Sequence, residues 1–271
     1  MPHEAEDASF VVPCRRLDAR APFRWLALGW HDLQRAPALS ALFGLATIVV
    51  SLLVSWLAWS LGRFALLAVL LSGFVFVAPL MGVAMYAVSR CLLEGRVPSL
   101  QTSLQLAKRV LGQAGVFALI QLVLMLMWSR AGMMVTVFMP LHKGDSTALM
   151  EYLLIGSLVG SVFAVLTFAV AVLSLPLIAD RDVDMVTACI SSVNAVLRNK
   201  AVMALWALLI VLLTALGFAT AFIGLGIAMP WLAYASFHAY RDTLEPMPLE
   251  PAEPGQPAAA QDTLEADSSG P

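Results

Sequence analysis

The chain has 271 residues, 60% of them hydrophobic and 13% charged, where an average soluble domain carries about 45–50% apolar and about 25% charged residues. A soluble globule cannot bury that much apolar side chain, and a formal net charge of -2 with a pI near 6.1 excludes a basic nucleic-acid binder. Uncharged runs longer than about 18 residues predict instead an all-α, polytopic membrane helix bundle.

In chain order, residues 1–21 read as a flexible head. Residues 22–37 place Trp25, Leu26, Gly29, Trp30 and Leu33 on one helical face, opposite Arg24, His31 and Arg35. That is the pattern of an interfacial helix, with Arg24 and Arg35 meeting anionic lipid headgroups and the tryptophans at the acyl boundary. The head and the apolar run after it are too long for a cleaved secretory signal, so the first span is expected to stay as an anchor. Spans are predicted at 38–61, 64–89, 113–141 and 152–179. From Ala201 to Tyr240 no residue is charged. Forty helical residues would reach about 60 Å, twice the hydrocarbon thickness, so this run must be a hairpin. Its spans are 201–221 and 224–240, turning between Gly217 and Gly226, which makes six. Residues 22–242 then form one membrane domain. The tail 243–271, with six acids, six prolines and no base, is expected to be disordered.

Charge placement tests the count. With the N-terminus inside, 13 of the 16 basic residues fall in inner segments, and Arg63, Arg130 and Lys143 are left outside. Both termini are therefore expected on the inner side. Two more short amphipathic helices are expected along that face: residues 99–111, with Leu100, Leu104, Ala107 and Leu111 on the apolar side, and residues 184–198, with Val186, Cys189, Ile190, Val193 and Leu197.

Chemistry-bearing patterns are sparse. Asp180, Asp182 and Asp184 alternate like the start of a calcium loop, but Met185 and Ser191 stand where that loop needs Gly and Glu. Capping of the next helix and local pairing with Arg181 are the expected uses. Arg130 interrupts an apolar helix beside Trp128, where it can snorkel to the interface or pair within the bundle. Gln121 is expected to hydrogen-bond between helices. The four histidines, among them His238 at the inner end of the last span, form no haem or copper set. Cys14, Cys91 and Cys189 form no metal or disulfide pattern, and no cofactor is expected. Small residues at Gly156, Gly160 and Ala164, and at Thr47, Ser51 and Ser55, mark helix contacts.

Three spans that descend toward the inner face each carry a proline: Pro79, Pro176 and Pro230. Pro79 and Pro230 each precede an arginine, Arg90 and Arg241, by 11 positions. Proline frees a backbone carbonyl, and paired interruptions at equal depth point either to packing kinks or to a midplane transport cavity.

The segments RWLALGWHDLQRAP, APLMGVAMYAVSR, LPLIADRDVDMVTA and FHAYRD together resemble the bacterial integral membrane proteins of domain-of-unknown-function family 2189, over residues 22–243. Some of its members carry a cytochrome-oxidase-like label, which the histidine placement contradicts here. The resemblance implies an inner-membrane protein. With almost no convergent polar groups in the spans, the expected role is non-enzymatic, scaffolding, assembling or regulating a protein partner at the cytoplasmic face. The alternative is a small-solute or lipid transporter using a cavity near Pro79 and Pro230.

Overall fold

Long apolar segments with few helix breakers can satisfy their backbone only by closing helical hydrogen bonds, and the described residues are helical almost throughout. A computed structural model describes residues 12–61, 81–138 and 146–244. Among them are α1 (Ala21–Arg35), α2 (Pro37–Leu61), α3 (Met81–Leu93), α4 (Leu100–Arg109), α5 (Leu111–Phe138), α6 (Ser146–Ala171), α7 (Ser174–Asp180), α8 (Met185–Arg198), α9 (Lys200–Ala219) and α10 (Leu225–Thr243). Among the described residues four stretches are long and apolar enough to cross a membrane: Pro37–Leu57, Leu111–Phe138, Thr147–Asp180 and Lys200–Ala219. The remaining two of the six expected spans stand differently. Most of 64–89, including Pro79, lies outside the described residues, as does the tail 245–271. The last span forms α10, a helix of 19 residues. Its Trp, Tyr, His, Arg and Asp keep it from meeting the same apolar standard.

The uncharged run 201–240 does fold as a hairpin. Thr220 closes it, accepting from the Gly224 N–H at 2.9 Å and donating to the Gly217 carbonyl at 2.9 Å. Ala221 and Phe222 take positive φ of 50° and 69°. That backbone costs a non-glycine residue energy, and tight packing of Gly217 against Leu225 and Gly224 accompanies it.

The core gathers on α10, which is buried on several sides. Trp25, Trp206, Phe237 and Tyr240 are wholly or almost wholly enclosed, with the Trp25 and Trp206 rings edge to face at 5.5 Å. Helix α1 is the main departure from expectation. Its Trp25, Gly29 and Asp32 are buried against protein rather than turned to lipid. A Cβ on Gly29 would lie 2.6 Å from the Ala235 nitrogen, so the two backbones meet there. Trp231 donates to the Leu26 carbonyl at 2.8 Å, and Trp30 packs on Trp231 at 5.0 Å. An amphipathic period marks an apolar stripe without saying what covers it; small residues at the crossing let α10 take the place of lipid.

Helices α4 and α8 behave in the opposite way. Ser103 and Leu106 of α4, and Met185, Ala188, Ser192 and Ala195 of α8, face the protein. Leu100, Leu104 and Leu111, and Val186, Ile190 and Leu197, stay exposed, while of the same expected stripes Cys189 is buried and Ala107 and Val193 are half-buried. Ser99 accepts from Thr102 N–H at 3.1 Å and Asp184 from Val186 and Thr187 N–H at 3.0 Å, so both helices begin with a side-chain cap.

The head is docked from residue 12 onward, against the expectation of a flexible segment. Val12 N–H donates to Ser191 Oγ at 3.0 Å, Leu17 N–H to Asn199 Oδ1 at 2.9 Å, and Asn199 Nδ2 back to the Arg15 carbonyl at 2.9 Å. Cys14 forms an isolated antiparallel bridge with Leu244. Ser191 of α8 and Asn199 at its C-cap supply these partners.

Candidate functional site: a polar layer centred on Asp180

Asp180 closes α7, where the last carbonyls of the helix need donors. The neighbouring carbonyl of Ala179 accepts from Arg90 Nη1 at 3.1 Å and from Arg109 Nη2 at 3.2 Å. The Asp180 carboxylate, its side chain 10% exposed, accepts at Oδ2 from Tyr240 OH at 2.9 Å and from Arg241 Nη1 at 3.0 Å. Its Oδ1 lies 3.6 Å from Arg90 Nε. One carboxylate thus joins the ends of α3, α7 and α10, with Arg109 of α4 on the adjacent carbonyl. The Arg181 guanidinium is buried over the Tyr240 ring, 5.9 Å from its centroid. Asp182 is exposed in the connector to α8.

Of the three aspartates, Asp184 therefore caps, as expected. Asp180 is a tertiary hub, a use that sequence spacing concealed because its partners are 60 and 90 positions away. Around the hub, Arg90 and Arg96 both bond Glu94. Partial burial pushes that carboxyl up, and hydrogen bonds from Arg96 and Arg90 outweigh it and hold Glu94 below the usual carboxylate range. Thr187 and the α8 amides lower Asp184 likewise, while burial pushes the Cys189 thiol up to about 11.

A second polar group lies on α10. His238 Nε2 and Asp32 Oδ2 are 2.8 Å apart and buried, and Tyr234 OH bonds Ser40 Oγ at 3.0 Å. His238 is thus a buried partner of α1 rather than an interfacial residue. Sequence reasoning missed Asp32 altogether, since it lies among polar neighbours in a helix read as having a solvated face. Arg24, expected at lipid headgroups, is ion-paired with Asp242, which also accepts from Trp25 Nε1 at 2.8 Å. Arg35 is exposed in the last turn of α1.

The prolines resolve into packing features where they are described. Pro176 lies in the first turn of α7, where its missing N–H costs no helical bond. The break before it is filled by Ser192 of α8, which donates to the Ala169 carbonyl at 2.7 Å and accepts from Leu173 N–H at 3.2 Å. Pro230 lies inside α10 and frees the Gly226 carbonyl, one turn earlier. Gly44 of α2 covers that carbonyl so closely that a Cβ on Gly44 would stand 2.0 Å from the oxygen. Gln121 does not form the expected interhelical bond: its buried Oε1 has no partner among the described residues. Arg130 is exposed on α5. Gly160 faces Trp128, while of the other two members of the expected small-residue face Gly156 is open and Ala164 is exposed.

Residues 66–180 match the family model of a predicted integral membrane protein, DUF2189. This is a narrower likeness than the 22–243 read from sequence, and less than half of the chain. No curated protein and no solved structure matches. The DUF2189 segment holds Arg90, Arg109 and Asp180, while Tyr240, Arg241 and the whole Asp32–His238 pair come from outside it. The hub therefore fastens the DUF2189 segment to helix α10.

Proposed function

We propose that this is a non-enzymatic, multi-pass protein of the bacterial inner membrane that presents a braced polar face on the cytoplasmic side to a protein partner, in an assembly or regulatory role. The observation that carries the reading is the joining of all four charge-rich segments into one layer. The α1 region meets the end of α10; the ends of α3 and α4 meet α7 at Asp180 and Ala179; the start of α8 meets Gln113 of α5, whose Oε1 accepts from Met185 N–H at 2.9 Å. Each long hairpin leaves this layer and returns to it, α5 with α6–α7 and α9 with α10. Six crossings with both termini inside fit that arrangement. The exposed leucines of α4 and the exposed Val186, Ile190 and Leu197 of α8 support an acyl boundary beside the layer.

The Pro230 half of the transport reading loses support, because Gly44 covers the carbonyl freed there. A photo-crosslinking residue at Val97, in the exposed α3–α4 connector, tests the proposal against one at lipid-facing Leu153. A discrete protein adduct from Val97 alone in native membranes is expected. Solute-dependent flux into proteoliposomes above protein-free vesicles, with no Val97 adduct, would overturn it.

A further inference from the structure

We infer that the α5–α6 hairpin carries a binding site for a single anionic phospholipid in the leaflet opposite the polar layer, with Arg130 holding its phosphate. Helix α5 starts at Leu111, two residues after Arg109, which reaches the Ala179 carbonyl within the polar layer. From Leu111 to Arg130 a helix rises about 28 Å, close to the roughly 30 Å of a hydrocarbon core. Arg130 therefore stands at the level of the far headgroups, where a guanidinium can extend to the interface instead of resting in hydrocarbon.

Beside it runs an open groove of about 470 Å³, lined by Val123, Leu126, Met127, Met134 and Phe163 with Arg130 as its one charged group. That volume lies within the range of small-molecule sites. Val123, Leu126 and Met127 lie three to seven positions before Arg130, hence about 5–11 Å deeper along the helix, and Phe163 of α6 walls the other side. Ala131 and Met134 continue the apolar lining up to about 6 Å beyond Arg130, so the cation sits beside an apolar track as a headgroup contact sits beside an acyl chain.

Among the described residues no carboxylate forms a salt bridge with Arg130, in contrast to Arg24, Arg90, Arg96 and Arg241. Arginine presents a planar fork of donors that matches phosphate oxygens in pairs. The groove opens to the lipid-facing side, and its neighbours Leu126, Met127 and Met134 are exposed. Depth sets Arg130 at the level of a lipid phosphate, and charge complementarity selects an anionic phospholipid over a zwitterionic one.

Native mass spectrometry of the full chain, released from detergent after incubation with phosphatidylglycerol or phosphatidylcholine, tests this. One phosphatidylglycerol adduct that survives activation is expected. Arg130→Gln should lower its occupancy at least fivefold, Arg130→Lys should retain part of it, and Arg24→Gln should leave it unchanged. Ala131→Trp, which fills the groove but keeps the guanidinium, should also lose the adduct, guarding against a misfolded Arg130→Gln. Inorganic phosphate should not displace the lipid. Equal retention of the two lipids, undiminished retention by both Arg130→Gln and Ala131→Trp, or a dimer in place of a lipid adduct would each overturn the site.

Discussion

His238 and Asp32 lie 206 positions apart in sequence, yet their Nε2 and Oδ2 atoms are 2.8 Å apart and their side chains are only 7% and 6% exposed. This pair pins α1 to α10 at a level where neither group reaches solvent freely. Removing one partner leaves the other buried without its hydrogen bond, at a cost of about 1–3 kcal/mol. Asp32→Ala and His238→Ala should each lower the thermal midpoint in detergent, and the double variant should fall short of the sum. Additive losses would mean that the two groups do not interact in solution.

Asp180 offers a sharper contrast, because its carboxylate is nearly buried while its partner Arg241 is half exposed. Asp180→Ala leaves the Tyr240 hydroxyl without its acceptor and takes a carboxylate from Arg241 and from Arg90, which keeps Glu94 and the Ala179 carbonyl, and a loss of about 1–3 kcal/mol is expected. Arg241→Gln removes an exposed arm, for which about 1 kcal/mol or less is expected. Chemical unfolding of the two variants should show that order; equal losses would remove Asp180 from its role as hub.

Much of this organisation was legible in sequence and its fastenings were not. The 201–240 hairpin, the ends of α4 and α8 and the Asp184 cap follow from length, period and local side-chain chemistry. Grouping of the charge-rich segments followed from counting Lys and Arg. The fastenings are long-range pairings between residues that are locally unremarkable: Asp32 among polar neighbours, Ser192 outside the expected apolar stripe of α8, Gly44 in a uniform apolar run. Periodicity reports that α1 has an apolar stripe; only the meeting of Gly29 with Ala235 decides that protein covers it.

Asp184 gives the chain a local pH dependence at the start of α8. Its pKa is held below the ordinary value of 3.8, first by the hydrogen bond with Thr187. A group lowered on folding stabilises above its unfolded pKa and loses that contribution as pH falls through the folded value. Wild type and Asp184→Ala should therefore differ at pH 7 by about 1 kcal/mol, the usual worth of an N-cap, and converge below about pH 4. Hydrogen exchange of the first-turn amides of α8 reads this directly, and a gap that persists at low pH would show that the carboxylate charge is not its source.

Gly44 and Gly156 are both glycines in apolar helices, and the structure predicts opposite outcomes for them. A Cβ at Gly44 collides with the Gly226 carbonyl, whereas nothing lies within 4 Å of one at Gly156. Gly44→Ala should force α2 and α10 apart and cost about 1–3 kcal/mol or more. Gly156→Ala should be neutral or stabilising by up to about 1 kcal/mol through helix propensity. A tolerated Gly44→Ala would mean that the carbonyl freed by Pro230 is not sealed, and would restore a cavity there.

Topology requires reporters that the native cysteines cannot supply. Cys91 and Cys189 are buried, and burial raises both thiols, Cys189 to about 11, so their silence toward an impermeant maleimide says nothing about sidedness. In a cysteine-free background, exposed Val97, Val137 and Ile223 report instead, from the α3–α4 connector, the far end of α5 and the α9–α10 turn. If α5 and α9 cross from a cytoplasmic polar layer, Val97→Cys should label only in inside-out vesicles. Val137→Cys and Ile223→Cys should label in spheroplasts. Complete inversion of the pattern would reverse the orientation while keeping the crossings. Labelling of Val97→Cys and Ile223→Cys from the same side would show that α9 does not span, and with it would go the α9–α10 hairpin as a pair of crossings.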